Sequence, residues 1–82
     1  MDKEAALADV LAQAGVDAER AVYVGDDTSD VGALRAVGLG VAVADAVDDA
    51  IEAAGWVTER PGGHGAVREV CDAIFAQLAE RE

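Results

Sequence analysis

Basic residues are scarce in this sequence. Six lysines and arginines stand against seventeen aspartates and glutamates in 82 residues, a formal charge of −11. Nucleic-acid binding works by neutralising phosphates with a basic face, and no such face is available. An anionic membrane surface would repel the chain as well. No apolar run approaches the roughly 20 residues of a membrane-spanning helix. Met1-Asp2-Lys3-Glu4 has neither the basic nor the apolar region of a signal peptide, so a cytoplasmic setting is expected. The single cysteine, Cys71, makes neither an internal disulfide nor a zinc site. Bulky side chains are few too. Of 43 apolar residues 19 are Ala and 12 are Val, and only eleven are Leu, Ile, Phe, Trp, Tyr or Met. A core of small side chains suits helices packed closely on a sheet, and 82 residues make one domain.

The pattern of what is present alternates between helix and strand. Residues 2–14 read as a helix that Asp2 can cap, with Leu7, Val10, Leu11 and Ala14 toward one side and Gly15 as its stop. Residues 21–24, Ala-Val-Tyr-Val, form a continuous apolar run of the kind found in buried parallel strands. A helix is predicted over 28–37, with Val31, Leu34 and Val37 inward, then a strand over 40–44. A short helix over 46–54, capped by Asp45, precedes a very short strand at 56–58. Pro61-Gly62-Gly63-His64-Gly65 reads as a loop. Residues 66–80 give the clearest helix, with Val67, Val70, Cys71, Ile74, Phe75 and Leu78 at helical spacing. On that stripe Cys71 reads as a core thiol. Strands alternating with helices imply right-handed crossovers and a parallel sheet. The expected fold is therefore α/β, with about three short parallel strands and four helices in one domain over 1–82.

Ligands of open parallel sheets bind at the carboxyl ends of the strands. Gly25-Asp26-Asp27-Thr28-Ser29-Asp30 occupies that position after the first strand. Three carboxylates so close repel one another unless a cation or a helix N-terminus compensates, and oxygen ligands alone favour a hard divalent ion such as Mg²⁺. The same residues equally suit capping of the following helix, by Asp27 or Thr28. A calcium loop of the helix-loop-helix kind does not fit, because Val31 and Val37 stand where Gly and Glu are needed.

Val22-Tyr23-Val24-Gly25-Asp26-Asp27-x-x-Asp30 resembles motif IV of the haloacid dehalogenase (HAD) superfamily of phosphohydrolases. Val37-Gly38-Leu39-Gly40-Val41-Ala42-Val43-Ala44-Asp45-Ala46 and Trp56-Val57-Thr58 continue the likeness. Gly62-Gly63-His64-Gly65-Ala66-Val67-Arg68-Glu69-Val70-Cys71 is similar to the tail of 3-deoxy-D-manno-octulosonate 8-phosphate phosphatases and acylneuraminate phosphatase-like domains. The likeness covers nearly the whole chain. It implies a partial HAD-like, Rossmann-type fold and Mg²⁺-dependent hydrolysis of a sugar-acid phosphate through an aspartyl-phosphate. Members of the family begin with an Asp-x-Asp strand whose first Asp attacks phosphorus. No Asp-x-Asp occurs in these 82 residues. The chain therefore resembles the C-terminal half of such a domain, opening at motif III, and is expected to be inactive alone. The alternative is a non-catalytic assembly module, like the HAD-like domain appended to acylneuraminate cytidylyltransferases.

The resemblance also implies roles. Asp26 would hold Mg²⁺, with Asp27 and Asp30 orienting it. Lys3, in the motif III position, would neutralise the phosphoryl group. Gly62, Gly63 and Arg68 would meet substrate, Arg68 from a neighbouring subunit. Expected partners are a sugar-acid phosphate and either further copies of the chain or a separate N-terminal half. Tyr23 and Trp56 read as core or subunit-contact residues.

Overall fold

The computed structural model describes residues 3–80, with side-chain surroundings as far as residue 76. Its elements run α1 (Lys3–Ala14), a 3-10 turn (Ala18–Arg20), β1 (Val22–Gly25), a second 3-10 turn (Thr28–Asp30), α2 (Val31–Ala36), β2 (Leu39–Ala42), α3 (Asp48–Ala53), β3 (Trp56–Val57) and α4 (Ala66–Glu80). The strands pair in the order β1-β2-β3, both pairs parallel. Val22 pairs with Leu39 and Gly25 with Ala42, while Val41 pairs with Trp56. The α/β architecture expected from the alternation is the one observed.

Side chains alternate across a strand. Tyr23 and Gly25 therefore share one face of the sheet with Gly40 and Ala42. On this face α2 lies so close that a Cβ at Gly40 would collide with the Leu34 carbonyl. Leu39, Val41 and Trp56 share the other face. Here Leu39 and Trp56 meet Ala73 and Ile74 of α4 across a shallow cleft. Among the described residues the buried apolar ones are Ala33, Leu34, Val41, Ala42, Val43, Ala50, Ala66 and Val70. Six of these eight are Ala or a β2-region Val or Ala neighbour of one, so contact comes from close backbone approach rather than from bulk.

Several local expectations are corrected. Residues 28–37 are not one helix but a 3-10 turn followed by six α-helical residues. The turn is tightened because the Asp30 side chain folds back onto the preceding backbone. Asp45 does not cap α3. The helix begins at Asp48 after Val47, which makes no side-chain cap. Residues 44–46 are instead spent on a turn, closed by Ala46 N–H to Val43 O, and Val47 N–H then reaches Asp26 O at 2.9 Å. On α4 the buried residues are Ala66 and Val70, with Ile74 half-buried. The stripe is thus rotated off the core. Val67 and Phe75 are exposed, and Cys71 is exposed rather than a core thiol. Asp2 and the Leu78 side chain lie outside the described residues.

Candidate functional site

β1 delivers Gly25 and Asp26 to the carboxyl edge of the sheet. A side chain at Gly25 would press on Asp30, whose Cβ lies 2.7 Å from where a Cβ would stand. Glycine here makes room for the Asp30 carboxylate to sit against the strand end, where it is buried. Asp30 Oδ2 accepts from the backbone N–H groups of Asp26 and Asp27, both at 3.0 Å. Its Oδ1 accepts from the Tyr23 hydroxyl at 2.7 Å and from Lys3 Nζ at 2.9 Å. Burial pushes the Asp30 carboxyl upward, but the Tyr23, Lys3 and backbone donors outweigh it and hold the group well below the usual carboxylate range. The hydrogen bond to Asp30 raises the Lys3 ammonium above its ordinary value. Tyr23 is pushed up to about 12, first by burial, then by the hydrogen bond and charge of Asp30.

Asp27 is the capping residue. Its Oδ1 accepts from Thr28 N–H at 2.7 Å, and it forms a reciprocal box with Asp30. Asp26 is exposed, and among the described residues its carboxylate accepts no hydrogen bond. The three acids are thus divided in work, and no group of three His, Cys, Asp or Glu among the described residues is gathered to hold a metal.

An open cavity of about 300 Å³ unites Lys3, Tyr23, Val24, Gly25, Asp26, Asp30, Val43 and Gly62. Gly62 is brought there by Asp45, whose Oδ1 accepts its N–H at 2.8 Å. Thr58 steadies the same region, accepting from Ala44 N–H at 3.1 Å and donating to Arg60 O at 2.6 Å. The Glu69 carboxylate accepts from the N–H groups of Glu59 and Arg60, tying the first turn of α4 to the end of β3. Lys3, Asp26, Asp30 and Gly62 therefore meet, with Asp27 beside them. Gly63 and Arg68 do not line the cavity. Gly63 turns the chain at φ +76°, and Arg68 is exposed and paired with Asp72 at 3.2 Å. Sequence reasoning missed Tyr23 as a site residue, and Asp45 and Glu69 as supports. The alternation of β1, which puts Tyr23 on the face of Gly25, was the available signal for the first.

A parallel α/β sheet with a lysine and an acidic loop at its carboxyl edge defines a Rossmann-like architecture, in which that edge is the usual place for a ligand. The family profile described as haloacid dehalogenase-like hydrolase matches residues 1–70, and the chain belongs to that family. It is 47% identical over 74 residues to the 3-deoxy-D-manno-octulosonate 8-phosphate phosphatase of Escherichia coli K12, a match covering 90% of this chain and 39% of that protein. The cobalt-bound deoxy-D-mannose-octulosonate 8-phosphate phosphatase from Haemophilus influenzae superposes with a TM-score of 0.88 at 44% identity, over 92% of this chain and 44% of that one. The enzyme from Moraxella catarrhalis, solved with magnesium, phosphate and KDO, gives 0.86 at 32% identity, over 99% and 51%. The chain thus spans well under two thirds of the length of its relatives.

Proposed function

We propose that this chain forms the lysine-bearing and metal-holding edge of a phosphomonoester hydrolase whose substrate is a sugar-acid phosphate of the 3-deoxy-octulosonate 8-phosphate class. The observation that carries the reading is the cavity in which Lys3, Asp26, Asp30 and Gly62 converge. The similarity to phosphatases solved with Mg²⁺ or Co²⁺ supports it.

The donor set fits Mg²⁺ in part. Asp26 offers a hard oxygen ligand free of hydrogen bonds among the described residues, and Asp27 and Asp30 hold the backbone that carries it. When bound, the ion would neutralise charge on the phosphoryl oxygens. Lys3 directs one of its three N–H donors to Asp30 and keeps the others for an anionic oxygen. Gly62 contributes open space rather than a donor, since its N–H is taken by Asp45. The nucleophile, on this reading, comes from an Asp-x-Asp segment outside these 82 residues.

The test is a chimera in which this sequence replaces the matching region of the Escherichia coli phosphatase. It should release phosphate from 3-deoxy-D-manno-octulosonate 8-phosphate only with Mg²⁺, and Asp26→Ala should lower the rate at least about a hundredfold, the scale of losing a metal-oriented phosphoryl group. The 82-residue chain alone should show no turnover. A chimera that folds and binds but never hydrolyses would favour the non-catalytic assembly reading instead.

A further inference from the structure

The two oxygens of Asp30 are held in different ways. Oδ2 is held by its own loop, through the N–H groups of Asp26 and Asp27. Oδ1 is held from outside that loop, by the Tyr23 hydroxyl at 2.7 Å and Lys3 Nζ at 2.9 Å. A carboxylate has about four lone-pair sites, so these donors fill it. The two donors to Oδ1 are unlike. Lys3 brings a point charge on a flexible stem, and its side chain is 37% exposed. Tyr23 brings a rigid ring with little rotamer entropy to lose, carried on a strand whose backbone is paired at Gly40.

The hydroxyl is therefore the anchor, and the ammonium takes the direction it leaves. With Tyr23 on one lone pair of Oδ1, a single direction remains for Lys3. One N–H is spent on Asp30, and the other two remain for the cavity of about 300 Å³ that Lys3 lines. Strand alternation supplies the socket. Tyr23 and Gly25 lie on one face of β1, and Asp30 occupies the space that a side chain at Gly25 would fill. Tyr23 and Lys3 line both this cavity and an apolar groove beside α1. A phenyl ring would serve the groove equally well. Only the hydroxyl answers to Asp30.

We propose that Tyr23 is a positioning residue, whose hydroxyl fixes Asp30 Oδ1 and thereby aims the Lys3 ammonium into the cavity. The proposal rests on the phosphatase reading for the anion that Lys3 meets. Lys3 is the only lysine, so isotopically labelled lysine gives one side-chain NMR signal in the 82-residue chain. Tyr23→Phe, which keeps the ring, should lower the order parameter of Lys3 Cε by about a third. Val22→Ala, on the same strand at an exposed position, should change stability but leave that order parameter within about a tenth. Tyr23→para-aminophenylalanine, which donates from the same ring position, should restore it. In the chimera with the Escherichia coli phosphatase, Tyr23→Phe should lower kcat about tenfold and keep KM within about twofold, because a misaimed charge is felt most where negative charge develops. An inactive parent chimera would count against the phosphatase reading, and the Lys3 signal would still decide the role of Tyr23. An unchanged Lys3 signal in Tyr23→Phe, equal loosening in Val22→Ala, no recovery with the amino ring, or an active chimera whose kcat ignores Tyr23→Phe would overturn the proposal.

Discussion

Asp30 organises the site at the scale of single residues, and its four donors come from three parts of the chain. The consequences are measurable because Tyr23 is the only tyrosine. Its phenolate absorbance should titrate near pH 12 in the folded chain and fall back toward about 10 in Asp30→Asn. The sign follows from linkage: the folded phenol holds its proton more tightly than the unfolded one. That stability is complete below about pH 10 and is lost as pH rises through about 12. Asp30 works in the opposite sense. Its folded carboxyl lies below the unfolded value, so its contribution is full above about pH 4 and drains as pH falls. Asp30→Asn should cost about 2 kcal/mol at neutral pH, the scale of hydrogen bonds to a charged group, and should make the acid limb of the stability curve shallower. A Tyr23 midpoint near 10 in the parent would show that the hydroxyl does not engage Asp30.

At the scale of elements, the periodicity in the sequence found every helix and strand but not their ends. Residues 28–37 have helical spacing, yet the first turn is 3-10 because Asp30 is pulled back onto Asp26 and Asp27. Residues 66–80 do form a helix, but the expected apolar stripe is not the buried one: Ala66 and Val70 are buried while Val67 and Phe75 are exposed. Close approach is equally decisive at β2. Gly40→Ala would drive a methyl into the Leu34 carbonyl, a backbone atom that cannot swing aside. The expected loss is about 3 kcal/mol, or roughly 15 °C in melting midpoint. Gly55→Ala serves as the comparison, because its Cβ would meet Leu39 Cδ1 at an ordinary 3.7 Å. Thermal melts of the two variants separate the cases, and similar midpoints would refute the tight β2–α2 contact.

For the whole molecule, a small-residue core is set against a charge of −11. α1 buries no residue fully, and β1 pairs with β2 alone among the described strands. Beside that free edge an apolar groove of about 370 Å³ runs between Tyr23 and the Ala6, Leu7 and Val10 side of α1. Unpaired strand edges attract other strands, so self-repulsion is all that the charge adds here. Salt should screen it. The melting midpoint should climb by several degrees, about 4–8 °C per kcal/mol recovered, as ionic strength rises from low values to physiological ones. A midpoint indifferent to salt would mean that the charges are too dispersed to matter.

The alternation of apolar runs with helical stripes was sufficient to determine a parallel α/β domain, because strand and helix periods differ and only crossovers join parallel strands. The Gly25–Asp30 segment likewise fell at the carboxyl edge of the sheet, since its order along the chain places it after the first strand. Which acid does what was beyond the sequence. Asp26, Asp27 and Asp30 are chemically alike, and only the packing that buries Asp30 under Tyr23 and Lys3 leaves Asp27 as a cap and Asp26 facing the cavity. Contacts between residues 27 apart, such as Lys3 with Asp30, or 17 apart, such as Asp45 with Gly62, depend on how the elements stack, and no local pattern encodes that distance in space.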